Sequence, residues 1–405
     1  MRFVQLSDIH FVKDAGDPRE LDGELRVGCV NQIAQLNKQT SIDAVLVCGD
    51  VAFGGQIGEY QRASAFLRDL TSRIGLKNEN VFVVPGNHDI DRAITGTEAQ
   101  AALRTGLRKG SDAEREAQLG DALRDTADAA FLFEPLANYV SFAQGFDCPT
   151  SPHSPHWDFS MVSDGVEVCL RGINTVLVSH ALDDTQDQRL LLGRFQVPDE
   201  PTESRLNVTL AHHPREWVHD AKRIWKRLER RSGLLITGHT HAYEFLPTDA
   251  GGWLRAGALQ PNRRETEWIP HFSIVDLEVR SEQWTIRVQP WAWDDDEGKF
   301  FEQPVEEISR PRAGDARLVS PAREADIRHA TNMRRLRIRL GALAPSEILT
   351  VVSSALAAPF EHALTEPPAT LARVGVELAA SKSRLAALWD EINGLRAVHE
   401  SNPFT

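Results

Sequence analysis

The 405-residue chain reads as an α/β protein, a four-layer α/β/β/α sandwich with a helical insertion and an extra C-terminal α-helical region. Three observations predict this. Residues 1–90 alternate strand, helix, strand, helix, strand, the pattern of a partly parallel sheet. Segments at 253–259, 271–279 and 283–291 alternate apolar and polar residues, as the strands of an antiparallel second sheet do. Five apolar runs end in islands of acid and histidine, the layout of an open α/β sheet whose polar groups converge at the carboxyl ends of its strands.

The elements follow in order. Phe3-Val4-Gln5-Leu6 precedes Asp8-Ile9-His10, and Ala44-Val45-Leu46-Val47-Cys48 precedes Gly49-Asp50. Val81-Phe82-Val83-Val84 leads to Gly86-Asn87-His88-Asp89, with helices predicted over about 22–39 and 58–74 between these strands. Residues 92–145 are rich in Ala, Arg, Asp and Glu with few β-branched residues, which predicts two or more helices inserted as a cap at the mouth of the strand ends. Strand character resumes at 157–162 and 166–173. Val208-Thr209-Leu210-Ala211 then leads to His212-His213-Pro214, and Leu234-Leu235-Ile236-Thr237 to Gly238-His239-Thr240-His241. Trp291-Ala292-Trp293 before Asp294-Asp295-Asp296-Glu297 reads as a strand end and a solvated turn.

A domain over 1–300, with 92–145 as its insertion, is therefore expected to precede a different unit over 310–405. From Arg310 to Arg339 there are nine arginines against three acids. A helix is predicted at about 346–364, and a long one at about 369–399 after Pro367-Pro368. Its apolar positions fall on a heptad, Leu371, Leu378, Leu385 and Ile392 in one register and Val374, Leu388 and Leu395 in the other. That pattern suits a coiled-coil seam, giving a homo-oligomer or a docking site for a partner, and equally suits packing on the helix at 346–364.

Composition limits the function classes. Hydrophobic content of 41% and charged content of 25% are those of an ordinary globular protein. No apolar run approaches the roughly 20 residues of a membrane span, so no membrane partner is expected. The first island-bearing strand begins at residue 3, leaving no room for a secretory leader, and Cys29, Cys48, Cys148 and Cys169 read as reduced, buried residues. Both point to a cytoplasmic protein. A net charge of −13 argues against general nucleic-acid binding, although the distribution of charge matters more than its sum.

The islands carry the chemistry. Imidazole nitrogen and carboxylate oxygen suit a divalent transition metal without any thiolate. A short carboxylate such as Asp50 can bridge two ions roughly 3.5–4 Å apart, as in two-metal phosphoester hydrolysis. Asp8 and His10 are two residues apart, as are His239 and His241, so each pair can face one ion where the backbone leaves its strand. Asn87 offers a neutral carbonyl oxygen.

In these islands the chain resembles the calcineurin-like metallophosphoesterase family: D-x-H, G-D, G-N-H-D, H-x-P and G-H-x-H, in that order, over about residues 1–290. The resemblance implies that Asp8, His10, Asp50 and His241 hold one metal, and that Asp50, Asn87, His212 and His239 hold the other. It implies that His88 is no ligand but contacts the phosphate or protonates the leaving oxygen, and the H-x-P spacing leaves His213 at the rim, facing substrate. Asp50 and His88 are the residues expected to carry catalysis, and Asn87, His88 and His213 those expected to meet the substrate. Two ions would activate a bridging water as hydroxide for in-line attack on phosphorus. Mn²⁺ is the expected metal, with Fe and Zn²⁺ as alternatives. Asp89 would orient a neighbour or cap the next helix, and His153 and His156 lie in a Pro-rich surface loop.

The short N-terminal pattern and the H-H-P island look most like the bacterial phosphodiesterase branch, so a nucleotide-type phosphodiester is the expected substrate. A nuclease, alone or as a subunit of a larger complex, is the alternative. It is supported by the arginine-rich 310–339 segment and by a basic helix with Arg215, Lys222, Arg223, Lys226, Arg227, Arg230 and Arg231. A phosphomonoesterase is the second alternative.

Overall fold

The computed structural model describes residues 1–12, 23–180, 190–202, 204–219, 221–262, 269–280, 283–311 and 318–405. The chain begins β1 (Arg2–Leu6), α1 (Gly23–Gln39), β2 (Ala44–Cys48), α2 (Ile57–Arg73) and β3 (Val81–Val84). The insertion is five helices: α3 (Arg92–Thr95), α4 (Glu98–Leu107), α5 (Asp112–Arg124), α6 (Thr126–Phe133) and α7 (Ala137–Gln144). Then come β4 (Trp157–Ser163), β5 (Val166–Gly172), β6 (Arg205–Leu210), α8 (Lys226–Arg231) and β7 (Leu234–Thr237). The strands end with β8 (Glu244–Pro247), β9 (Gly252–Arg255), β10 (His271–Val279), β11 (Gln283–Asp294), β12 (Lys299–Glu302) and β13 (Glu306–Pro311). The last helices are α9 (Pro321–Gly341), α10 (Pro345–Leu356), α11 (Pro368–Ser381) and α12 (Leu385–Arg396).

Two sheets face each other with helices outside, so the fold is the expected α/β/β/α sandwich. One sheet has the order β12-β11-β10-β1-β2-β3, with β13 also paired to β11; the other runs β4-β5-β6-β7-β9-β8. β1, β2 and β3 run parallel, and β2 and β3 are buried along their whole length, which is why these two read as unbroken Val, Leu and Phe rather than as an alternation. Helix α1 turns Leu25, Cys29, Val30, Ile33 and Leu36 inward at helical spacing, and α2 does the same with Tyr60, Ala63, Leu67 and Leu70. Between the sheets Phe82 packs on Trp157 and Phe159 at 5.6 and 5.0 Å, and the Trp157 indole donates to the Val83 carbonyl at 2.9 Å. All four cysteines are free and buried. No helix among the described residues is long and apolar enough to cross a membrane.

The late strands do not form one antiparallel second sheet. β10 pairs antiparallel with β1 (Val4 opposite Ile274) and carries β11 with it, so both extend the first sheet. Of the three predicted segments only β9 enters the second sheet, where it runs parallel to β7 and antiparallel to β8. Alternation reports that one face is buried; it does not report which neighbour a strand pairs with.

The chain divides into two compact units, Met1–Val140 with Cys148–Val319, and Ser141–Asp147 with Ser320–Thr405. The second is built on α9 to α12 around Leu336, Leu340, Ile348, Val352, Leu371, Leu388, Trp389 and Ile392. Ser320 caps α9 and Pro321 opens it. The expected single helix over 369–399 is instead two, because Lys382–Arg384 form a turn with Ser383 at φ 53°. The heptad therefore makes no continuous seam; Leu371, Leu388 and Ile392 fill this unit's own core. Helix α10 likewise stops at Leu356, where Ala357 turns left-handed.

Trp389 is fully buried, and the guanidiniums of Arg339 and Arg335 lie 4.2 and 4.9 Å from its ring centroid. Trp389→Ala is expected to cost this unit about 3–5 kcal/mol of stability, the range for emptying a buried aromatic site. Urea unfolding followed by circular dichroism measures it, and a loss below about 1 kcal/mol contradicts the packing described.

Candidate metal centre

All five islands lie where the sequence places them, in loops leaving β1, β2, β3, β6 and β7. The backbone there is unusual. Asp8, His10, Asp50, His239 and His241 all adopt left-handed conformations, with φ of 52°, 51°, 49°, 72° and 57°. For a residue with a Cβ this costs on the order of 1 kcal/mol or more each, so the surroundings must hold it in place. Part of the hold is visible in the first two loops. Asp8 N–H donates to the Gly49 carbonyl at 3.1 Å, and the N–H groups of Ile9 and His10 both donate to the Asp50 carbonyl, at 2.9 and 3.0 Å. These turns let Asp8 and His10 face the same way although they are two residues apart.

The side chains converge in two adjoining groups. Asp8, His10 and His241 offer donor atoms mutually within 4.8 Å, and Asp8 Oδ1 lies 3.3 Å from His241 Nε2. In the other group Asn87 Oδ1 lies 2.9 Å from His239 Nδ1 and 3.2 Å from His212 Nε2, and His212 Nε2 lies 3.2 Å from Asp50 Oδ2. Asp8, Asp50 and His212 are themselves within 4.8 Å, so Asp50 stands where the groups meet. Its other oxygen accepts from the His88 N–H at 2.7 Å.

The electrostatics fit a cation. Burial raises the Asp8 carboxyl, but the hydrogen bond and charge of His241 outweigh it and bring it to about 2. Asp50 is likewise held well below the usual range by His212 and His88 against its burial. Burial, then His88, lowers His10 to about 3; burial, then His212, lowers His239 to about 3. His212 is the exception. Burial opposes its imidazolium, but Asp50 overrides that and lifts it to about 9, so positive charge is demanded at this spot. Asp8 Oδ1 is buried against the His241 ring alone, and His10 Nδ1 is buried with no hydrogen-bond partner among the described residues. Ionised carboxylate oxygens, neutral imidazoles and orphaned buried donor atoms are a donor set that a divalent ion fits.

A family model for the calcineurin-like phosphoesterases matches residues 1–243. The chain belongs to the calcineurin-like phosphoesterase family. This phosphoesterase-family chain is also 23% identical over 324 residues to a metallophosphoesterase-like protein, YydB, of Bacillus subtilis; the match covers 75% of this chain and 63% of that protein. Among solved structures it is similar to a Vps29 single mutant from Entamoeba histolytica, at 14% identity and a TM-score of 0.33, covering 76% of this chain and 99% of that one. It is similar to Vacuolar Protein Sorting 29 from Cryptosporidium parvum, at 14% identity and a TM-score of 0.35, covering 76% and 98%. It is similar to GAP50 of Plasmodium, at 10% identity and a TM-score of 0.37, covering 82% and 94%.

Several neighbours of this family site were not legible in the motifs. His213 is not at a rim: it is fully buried, its Nδ1 is 2.8 Å from Thr175 Oγ1, and its ring lies 4.4 Å from that of His239. Trp217 meets the same His239 ring edge-on at 4.5 Å. His88 Nδ1 lies 2.7 Å from the Phe53 carbonyl, which can only accept, so Nδ1 carries the proton. His88 Nε2 then accepts from Arg92 Nη2 at 3.2 Å. Asp89 caps no helix, since Asp91 caps α3; it accepts from the N–H groups of Val51, Ala52 and Gly86 at 3.2, 2.9 and 2.9 Å, and from the Tyr60 hydroxyl at 3.1 Å. Burial and then Asp50 raise Asp89 to about 7 against those donors. The basic stretch begins with a short 3₁₀ turn at Arg215–Trp217 and a π-helical turn at Ala221–Trp225 before α8.

Gly86 has no room for a side chain, because an added Cβ would land on Asp50 Oδ1. Gly86→Ala is expected to displace that carboxylate and weaken Mn²⁺ binding roughly 10- to 100-fold in titration calorimetry, with the far-UV spectrum retained. Unchanged stoichiometry and affinity contradict the placement of Asp50 at the junction.

Proposed function

We propose that this chain is a metal-dependent phosphoester hydrolase with two divalent ions, acting on phosphodiesters of nucleotide type. The observation that carries the reading is Asp50, a buried, ionised carboxylate at the junction of two donor groups. Asp8, His10, Asp50 and His241 would hold one ion, and Asp50, Asn87, His212 and His239 the other. Bound there, two ions supply activation of water and neutralisation of phosphoryl charge. The N/O donor set without thiolate suits Mn²⁺, with Fe and Zn²⁺ as alternatives. The H-H-P island supports the diester preference, through its likeness to the bacterial phosphodiesterase branch.

The protein groups divide the remaining work. Asn87, His88 and His213 face the phosphoryl group, where hydrogen-bond donors stabilise charge as it develops. His88 is the group proposed to protonate the leaving oxygen. With Nδ1 committed to Phe53, the proton it gives must first occupy Nε2, and Arg92 must then release that nitrogen. A nucleic-acid strand remains the second substrate class, favoured by the exposed Lys222, Arg223, Lys226 and Arg230 that follow the fourth island.

The test is a Mn²⁺-reconstituted screen of bis-p-nitrophenyl phosphate, p-nitrophenyl phosphate, cyclic nucleotides, and single- and double-stranded DNA and RNA. Cleavage of the diester and of cyclic nucleotides, lost in chelator and in Asp50→Asn, is expected. His88→Gln is expected to lower turnover by roughly a hundredfold or more while keeping its metal content. Cleavage of the monoester alone overturns the diester assignment, and wild-type turnover of Asp50→Asn at saturating Mn²⁺ overturns the two-ion reading.

A further inference from the structure

Behind the donor groups Thr175, which no metal motif contains, pairs with His213. Thr175 is 1% exposed, in the loop after β5, and its hydroxyl touches His213 twice. The His213 backbone N–H donates to Thr175 Oγ1 at 3.4 Å, and Thr175 Oγ1 lies 2.8 Å from His213 Nδ1. Among the described residues the Thr175 hydroxyl proton has no other acceptor, so the arrangement that satisfies both groups has the hydroxyl donating to Nδ1. The ring's proton then sits on Nε2. That atom is buried and has no hydrogen-bond partner among the described residues, in a ring packed 4.4 Å from His239 and 4.8 Å from His212. An unmatched buried N–H costs on the order of 1–3 kcal/mol, so an acceptor from outside the protein is the natural occupant.

We propose that Thr175 fixes His213 in the tautomer whose Nε2–H donates to a phosphoryl oxygen of the substrate, which makes Thr175 a positioning residue and His213 an anion-binding one rather than a further metal ligand. This rests on the two-ion reading above. His213 offers a ring nitrogen within 4.8 Å of donor atoms on His212 and His239, so the tautomer decides between the roles: a nitrogen carrying a proton donates to an oxyanion, whereas one with a free lone pair ligates metal. Thr175 is itself anchored. Its loop is gripped by the insertion, Arg104 donating to the Ser179 carbonyl at 2.8 Å and Arg108 to the Val178 carbonyl at 2.6 Å.

The experiment measures Mn²⁺ stoichiometry by elemental analysis and inorganic phosphate affinity by calorimetry, on the full-length protein and its variants. Thr175→Val is expected to keep two Mn²⁺ per chain and to lose about tenfold in phosphate affinity, and Thr175→Ser to restore it. His213→Leu is expected to reproduce that loss, and His213→Gln, which keeps an N–H donor, to recover part of it. The two His213 variants decide the matter alone if Thr175→Val does not fold. Loss of one Mn²⁺ in His213→Leu overturns the proposal by making His213 a ligand. Unchanged phosphate affinity in folded Thr175→Val or in His213→Leu overturns it as well. A Mn²⁺-loaded wild type that binds no phosphate is a different failure, overturning the two-ion reading and the proposal together.

Discussion

The constraint on which the site depends is the burial of two carboxylates side by side. Asp8 and Asp50 are 0% and 1% exposed. A buried carboxylate is costly unless it is paired and hydrogen-bonded, and two of them within reach of one another are costlier still. The protein answers with hydroxyl, backbone N–H and imidazole partners. Asp8 receives the Ser7 hydroxyl, the His239 N–H at 3.2 Å and the His241 ring; Asp50 receives the His88 N–H and His212. These partners come from four separate loops, so the carboxylates act as the knot that ties the strand ends together. The left-handed residues are the local consequence, because only those turns aim side chains from alternate positions into one space.

Asp89 extends the same logic one layer outward. By accepting from Val51, Ala52 and Gly86, it fastens the loop that carries Asp50 to the loop that carries Asn87. Its geometry is that of a clasp on backbone rather than a participant in proton transfer. The insertion provides a second clasp: Arg92, at the start of α3, touches His88, and Arg104 is wholly buried in contacts to Ser179, Gln100 and Leu132. Expected as a cover over the mouth, the insertion acts in these contacts as a brace for the loops beside the donor groups.

How much of this was legible follows from where each cause lies. The metal-type donors were legible because each sits next to its own strand in sequence, so a strand reading and a residue type place it. Thr175 and Arg92 were not, since a threonine and an arginine in loops carry no ligand signature and their meaning arises only from contacts across 38 and 4 residues. Sheet membership of β10 was hidden for a related reason: alternation is local, while pairing with β1 spans the whole unit. The broken C-terminal helix was hidden by its own regularity. A heptad extends through Lys382–Arg384 on paper, yet the chain gains more by folding α12 back, so that Leu388, Trp389 and Ile392 meet α10 and α11.

A run of basic residues in sequence does not by itself make a basic surface, and the arginines of α9 show why. Arg337 holds the Asp147 carboxylate with two bonds of 2.9 and 2.7 Å, and Arg334 donates to the carbonyls of Phe146 and Asp147. Arg335 and Arg339 both engage Glu400 while flanking Trp389. Guanidiniums placed this way are internal cross-links, with their forks already filled. A phosphate backbone would have to break bidentate, partly buried pairs to reach them, an exchange that offers no net gain in hydrogen bonds. The basic residues exposed after the fourth island, Arg215, Lys222, Arg223, Lys226 and Arg230, lie within the same compact unit as the donor groups. That short stretch brings positive charge to the unit that carries the donor groups, whereas Arg334, Arg335, Arg337 and Arg339 of the arginine-rich helix serve stability instead.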